Sequence, residues 1–440
     1  MASQAIGKRT TIFQLGLDSI NAVQVAGMLR KSGLRVTATD ILNHPNCEGL
    51  AKHLGQGPAV NSLNGSGGDS STKGGEFQIG EFQKRVAPLV QAGLPPSDTI
   101  EAVLPCTPVQ VAMLTEFVQS QGKDYLNYLH LDLDLDAGIP LPAVLVAWEE
   151  VFAAHDMLRA GFVPLDSPDY RDMSYVMVKH STRGTAVPVS PIRHTRGFSA
   201  RKWRLDMAQD VLASLHEPPW RVALVQDGEQ VSMHVVIHHA LYDAHSLRRI
   251  LDDLARCLQG DNLKKTTTVE NALAGILGLV EQSDHGGAKE FWTAFADEAV
   301  VNDFPVMTPL RVEHGEMLSS SHVSALGFED LLNATRKANI SIQAALQGAW
   351  TRVLSSYQGE DSVIFGTVMS GRVSETLQDA VFPCITTVPV IARNTNSNGD
   401  LLDSMMQFNT GLYKHQFSRL TDVQRWLGHP GHRLFDTLLV

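Results

Sequence analysis

Cysteine is scarce in this chain of 440 residues: Cys47, Cys106, Cys257 and Cys384 lie far apart and form no CxxC pair. That leaves no disulfide framework and no Cys-rich zinc site, and a reducing, cytoplasmic compartment is the expectation. Long apolar runs are missing too. The longest stretch of apolar residues and glycine is nine, residues 272–280, against about 20 for a membrane span. The amino terminus, MASQAIGKRTT, has no apolar h-region of a signal peptide. Basic charge is in deficit: 36 Lys and Arg face 47 Asp and Glu, for a net charge of −11. With no long basic run, the chain is a poor binder of nucleic acid or of an anionic membrane. No GxxxxGK[ST] loop is present, so nothing here activates a substrate with ATP. What remains, 43% hydrophobic and 19% charged residues, is ordinary globular composition, long enough for two to four domains.

One segment stands apart. Residues 55–75 contain 7 Gly, 4 Ser and 1 Pro and no hydrophobic period. This reads as a flexible linker, with a coil span of about 25 Å and a stretched reach of about 70 Å. The expected division is a small unit at 1–54, a linker at 55–98 and a large unit at 99–440, split near 270. The small unit reads as three helices. One starts at Ser19, with Ile20, Val23 and Met28/Leu29 near helical spacing, Arg30 and Lys31 in its last turn and Gly33 beyond. A short second follows Asp40 and ends at His44-Pro45. In the third, Cys47, Leu50, Ala51 and Leu54 recur at i, i+3, i+4, i+7. The large unit alternates strands and helices. Strands are expected at 231–237 and 361–367, and helices around Leu145/Trp148/Phe152, Leu247 to Leu258 and Ile342 to Val353. The alternation in residues 131–136, LDLDLD, reads as a strand with a solvated face. Trp148, Trp350 and most methionines read as core.

Two motifs carry chemistry. In Gly16-Leu17-Asp18-Ser19 a hydroxyl sits at the positive end of a helix, where backbone N–H groups can hold a phosphate. On the tetrapeptide alone, a plain helix cap by Asp18 and Ser19 has the stronger claim. In His238-His239-Ala240-Leu241-Tyr242-Asp243, adjacent strand residues face opposite sides, so the two imidazoles occupy different surroundings. A metal site is disfavoured, because no third ligand stands at a convincing spacing. A buried, hydrogen-bonded pair at a strand end has about even odds with a catalytic one.

The longer context resembles a known family. Residues 15–54, LGLDSINAVQVAGMLRKSGLRVTATDILNHPNCEGLAKHL, resemble the carrier (thiolation) domain of nonribosomal peptide synthetases. HHALYDAHS resembles the HHxxxDG motif of their condensation domains, and further segments match in order. They are PCTPVQ with Met113-Leu114, HDMLR at 155–159 with Phe162, Glu290-Phe291-Trp292, and GTVMSGR at 366–372 followed by FPCITTVP at 382–389. The departures are Asp156 for Glu, Thr386 for Asn, and Ala244 for Gly. Ala244 is read as the first residue of a helix, where alanine is welcome.

The resemblance implies an α+β protein: a small helical carrier bundle, a flexible linker, then a two-lobed chloramphenicol-acetyltransferase-like condensation domain of mixed sheets and flanking helices. It implies 4′-phosphopantetheine on Ser19, His239 as the catalytic base, His238 as mainly structural, and a salt bridge from Asp243 to Arg372. The reaction would be aminolysis of an aminoacyl or peptidyl thioester. The implied partners are a phosphopantetheinyl transferase, an upstream adenylation domain and a downstream carrier. The spellings are similar to those of fungal siderophore synthetases. Three rivals stand beside this reading: an epimerization domain, against which Leu247 stands where Trp is usual; a terminal cyclizing domain, against which His238 stands; and a non-catalytic docking remnant. Such carriers open with a helix ahead of Phe13, and residues 434–440 read as the middle of a strand. The first helix is therefore expected to be missing and the condensation domain to be incomplete at its C-terminal end.

Overall fold

The computed structural model of the protein describes residues 6–17, 19–55, 78–94, 100–133, 140–167, 170, 173–192, 198–227, 230–285, 287–301 and 320–440. Most of the Gly/Ser-rich linker, Asp18, and Asp134 and Asp136 of the LDLDLD run lie outside these residues; of Ser19 only the backbone is described. Two compact units emerge: Lys73–Leu279 with Thr376–Ile385, and Met1–Thr72 with Val280–Glu375 and Thr386–Val440. The expected lobe boundary at 270 falls inside a helix, Val269–His285, and a ten-residue segment near 380 belongs with the first lobe rather than the second.

In the unit holding the chain start, α1 (Ser19–Lys31), α2 (Ala38–Asn43) and α3 (Cys47–Gly55) form the small bundle. Gly33 at φ 87° ends α1, its N–H and that of Leu34 donating to the last carbonyls, as a C′ glycine does. α2 starts before Asp40, not after it: Thr37 is its cap, and Asp40, the third helical residue, closes a capping box back to Thr37. The buried cluster is Phe13, Ala22, Val23, Ala26, Val36, Ala38, Ile41 and Leu42. Two apolar assignments fail. Met28 is 68% exposed, and of the α3 stripe only Leu50 and Leu54 pack inward, Cys47 and Ala51 facing water. Residues ahead of Phe13, patternless in sequence, are tied to α3's start through Glu48 N–H to Lys8 C=O and Ile12 N–H to Pro45 C=O.

The other unit begins inside the stretch expected as linker. α4 (Ile79–Gly93) is a helix there, with Phe82, Val86 and Val90 at i, i+4, i+8 buried against Val103, Val176 and Val178. It is followed by β1 (Ile100–Pro105), α5 (Pro108–Gln119), β2 (Leu126–Leu133), α6 (Leu141–Ala154), β3 (Ala160–Pro164), β4 (Tyr175–His180) and β5 (Val189–Ile192). Then come α7 (Ala200–Ala213), β6 (Trp220–Asp227), β7 (Gln230–His238), α8 (Ala244–Leu258) and α9 (Val269–His285). One sheet has the order β1-β4-β3 and another β2-β7-β6-β5, in which only β5-β6 is parallel. β7 is paired on both edges, and its residues are buried on both faces: Met233, Val235 and Ile237 on one, His234, Val236 and His238 on the other.

The chain then returns to the unit holding the chain start with α10 (Ala288–Thr293), α11 (Phe328–Ala338), α12 (Ile342–Gln358), β8 (Ser362–Met369), β9 (Thr386–Arg393), α14 (Asn398–His415), α15 (Leu420–Trp426) and β10 (Leu438–Leu439), while α13 (Glu375–Gln378), between β8 and β9, begins the segment that belongs with the other unit. The sheet order is β10-β8-β9. Of residues 434–440 only the two of β10 are strand, paired parallel to β8. Gly366 permits that pairing: a Cβ there would stand 2.4 Å from the Phe435 ring. Trp292 of the Glu-Phe-Trp motif is fully buried and donates its indole N–H to Ser418 Oγ at 3.0 Å.

Candidate active site

The histidine pair does not sit as strand alternation predicts. β7 ends at His238, and His239 opens a single 3₁₀ turn, His239–Leu241. The turn, rather than the pleat, separates the two rings. His238 is fully buried, edge-on to Phe117 with ring centroids 4.7 Å apart, and its Nδ1 accepts the Ala240 N–H at 3.1 Å. Burial, with His239 adjacent, pushes its pKa down to about 3. It is a neutral brace at any physiological pH.

His239 is half-buried. Its Nδ1 lies 2.9 Å from the Tyr242 carbonyl oxygen, which can only accept, so the proton resides on Nδ1 and Nε2 carries the lone pair. The ring stacks on that of Tyr242, centroids 4.8 Å apart and planes 10° from parallel. Tyr242 is in turn held at its hydroxyl by Asn127 Nδ2 at 2.6 Å, and the His239 N–H donates to the Tyr125 carbonyl at 2.8 Å. Tyr125 has φ 60°, a left-handed conformation unusual for an aromatic residue. Tyr242, Asn127 and Tyr125 carry no motif that separates them from core residues, and sequence reasoning passed them over.

Asp243 caps α8. Its Oδ1 accepts from Ser246 N–H and Oγ–H, both at 2.8 Å, and its Oδ2 accepts from the Cys384 N–H at 3.1 Å. Ser246 Oγ lies 3.0 Å from both the carbonyl oxygen and the N–H of Phe382. The late motif at 382–384 is thus fastened to the HHxxxD turn by two side chains of that turn. Ala244 is the first residue of α8 and has no positive φ, which explains why alanine serves where the motif has glycine. The opening motif reaches the same place. Thr107 and Gln110 form a capping box on α5, and Gln110 Nε2 donates to the Ala240 carbonyl at 2.9 Å. The third motif is architectural: buried His155 bonds Asp253 at 3.1 Å, and Arg159 donates to the His180 carbonyl at 2.6 Å. Arg372 is 5% exposed in the other unit.

Comparison with known proteins bears on this geometry. Residues 100–440 match the family described as "Condensation domain", and residues 1–54 the one described as "Phosphopantetheine attachment site". The chain belongs to the condensation-domain family, joined to a phosphopantetheine-bearing carrier domain. It is 44% identical over 442 residues to Nonribosomal peptide synthetase 2 of Gibberella zeae, 36% identical over 441 residues to Nonribosomal peptide synthetase SIDC of Beauveria bassiana, and 27% identical over 446 residues to a hydroxamate-type ferrichrome siderophore peptide synthetase of Schizosaccharomyces pombe. These alignments cover 99–100% of this chain and 9% of each relative. The fold resembles that of a four-domain nonribosomal peptide synthetase bound to AMP and glycine (TM-score 0.60, 16% identity, 77% of this chain and 26% of that one). It also resembles the first condensation domain of the calcium-dependent antibiotic synthetase (TM-score 0.57, 15% identity, 77% and 80%). Among the described residues, no helix is long and apolar enough to cross a membrane.

The carrier match implies covalent 4′-phosphopantetheine, joined through a phosphodiester. A cation stands against the turn ahead of α1. Gly16 has φ 77°, and a Cβ there would stand 2.4 Å from Arg336 Nε and 2.5 Å from its Nη2. That Nε is buried without a hydrogen-bond partner among the described residues.

Proposed function

We propose that this chain acts as a carrier–condensation didomain of a nonribosomal peptide synthetase, forming an amide bond between a carrier-bound acyl group and an acceptor amine. The supporting observation is the unequal treatment of the two histidines: His238 is sealed and neutral, while His239 is half-exposed with a fixed tautomer and a free Nε2 lone pair. When bound on Ser19, the arm presents the acyl group as a thioester. As the C–N bond forms and the C–S bond of the thioester breaks, His239 Nε2 accepts the proton of the attacking amine and passes it to the departing thiolate, the transient imidazolium being stabilised by the Tyr242 carbonyl already on Nδ1. Stacking on Tyr242 holds the ring in that orientation. His238 keeps the turn in place, and Asp243 locks it to residues 382–384.

The same reading carries the salt bridge from Asp243 to Arg372 that the family resemblance implies. Its partners are a phosphopantetheinyl transferase, an upstream adenylation domain, a second carrier that brings the acceptor, and aminoacyl or peptidyl thioesters, in the cytoplasm. The domain division carried with it is a carrier at 1–54 and a condensation domain at 99–440, with α4 of the intervening 55–98 packed on the latter. Similarity to ferrichrome-type synthetases points to a siderophore product. The test is a loaded-donor assay: with the chain primed and acylated, a free amine should be converted to amide. A folded, acylated chain that gives no amide would refute the reading and favour a docking remnant.

A further inference from the structure

β2 reads LNYLHLDL, and alternation puts Asn127 on the face it shares with Leu129 and Leu131. Opposite it on β7 stands Ile237, and opposite those leucines stand Val235 and Met233, all three buried. Asparagine is depleted in strands, and an amide at the end of an apolar face needs a hydrogen-bond partner. Asn127 has one: its Nδ2 donates to the Tyr242 hydroxyl at 2.6 Å. Tyr242 is 4% exposed, and burial raises the pKa of its phenol, so the hydroxyl stays protonated.

Tyr242 grips His239 at two points. Its carbonyl takes the Nδ1 proton at 2.9 Å, and its ring lies flat on the imidazole, the planes 10° apart. The carbonyl bond alone leaves the imidazole free to rotate about the line from Nδ1 to that oxygen. The stacked phenol removes the rotation. The backbone holds the carbonyl, and the Asn127 bond selects one place for the far end of the phenol ring. Just ahead of β2, the Tyr125 carbonyl takes the His239 N–H at 2.8 Å. This end of β2 therefore holds the turn twice, by backbone at Tyr125 and by a side chain at Asn127.

A base must meet its proton along a lone pair, and a misplacement of about 1 Å can cost about 10²-fold in rate. We propose that Asn127 is a positioning residue for the reaction: through the Tyr242 hydroxyl it fixes the plane of the His239 imidazole, and with it the direction of the Nε2 lone pair. This rests on the reading of His239 as the base. Asn127 acts by way of Tyr242 and His239, and not on the amine directly.

The experiment measures single-turnover amide formation by the full chain, primed and acylated, against rising concentrations of a free amine. Asn127→Ala and Tyr242→Phe delete the same hydrogen bond from its two ends, and Tyr242→Phe keeps the ring. Each should lower the saturating rate about tenfold, since the carbonyl and Tyr125 contacts remain, and leave the half-saturating amine concentration within about twofold. The double variant should be no slower than either single one. In a His239→Ala chain, Asn127→Ala should cost nothing further. A merely structural asparagine would slow that chain too, and its loss would add to that of Tyr242→Phe. If Asn127→Ala does not fold, Tyr242→Phe decides the matter alone. A wild-type rate in Tyr242→Phe, additive losses in the double variant, or a further loss in the His239→Ala chain overturns the proposal. Full turnover in a folded His239→Ala chain is a different failure, which removes the base itself and the proposal with it.

Discussion

Around His239 the polar groups of the turn are tied into one frame: Gln110 to Ala240, Asn127 to Tyr242, the Tyr242 carbonyl to the imidazole, Asp243 to Ser246 and Cys384. The carrier is built differently. Among the described residues its core is eight buried side chains, three of them alanine, where the sheet in the same unit is backed by twenty. It gains further packing from Met406 and Tyr413 of α14. So small a bundle buries too little surface to be robust alone. The contrast teaches a division of labour. A base must be held within a fraction of an ångström before substrate arrives, so its frame is redundant. A carrier must be released and recaptured, so its attachment rests on a few contacts that a small free-energy change can shift.

The largest expected effect tests the rigid side. His239→Ala should lower single-turnover amide formation by about 10²–10⁴-fold with little change in unfolding midpoint. Full turnover in a folded variant would remove the base. Phe13→Ala tests the loose side: about 3–5 kcal/mol of local stability should be lost, enough to melt the carrier. Exchange should rise across residues 6–55 while amides of β6 and β7 stay protected. Melting of both regions together would erase the contrast.

Asp243→Ala removes a helix cap and the acceptor for Cys384 N–H, and should cost about 2–3 kcal/mol in urea unfolding. Combined with Arg372→Ala in a double-mutant cycle, it should show coupling; additive effects would mean that the pair does not touch.

A pH series sharpens the frame further. The unfolded chain protonates His238 near the ordinary 6.5, the folded one only near 3. Stability present above pH 6.5 is therefore lost as pH falls through that window, by up to about 1.4 kcal/mol per pH unit from this group. His155, His180, His234 and His415 are also lowered by burial and act in the same direction. His238→Gln should flatten the slope, and an unchanged slope would place the titration elsewhere. The smallest effect is expected from Glu375→Gln. Its two pairs, with Arg30 and Lys31 of α1, are long and half-exposed, so only a few tenths of a kcal/mol of carrier docking should go, and less at high salt.

Much of this architecture was legible from local pattern. α1, α3, α6, α8, α12, β7 and β8 follow spacing and capping signals that act over one or two turns. The Asp243 cap and the helical Ala244 were readable for the same reason. What sequence reasoning missed depends on distance along the chain. α4 hid behind a Gly/Ser-rich stretch, although Phe82, Val86 and Val90 show its period. Met28, apolar and at a plausible position, faces water because none of the described residues covers it. The strand rule separated the two histidines by a mechanism that the turn replaces.

By itself, the sequence determined the class of protein, the two domains joined in this order, and the residue types at each reactive position, because motifs and periods are local properties. The tertiary structure decided which histidine is sealed and how the other is held, since Phe117 packs on His238, Asn127 bonds the Tyr242 hydroxyl and the Tyr125 carbonyl takes the His239 N–H, all from more than a hundred residues away. It also brought Arg336 to Gly16 across 320 residues, a contact that no spacing encodes because only packing of the carrier on α11 creates it.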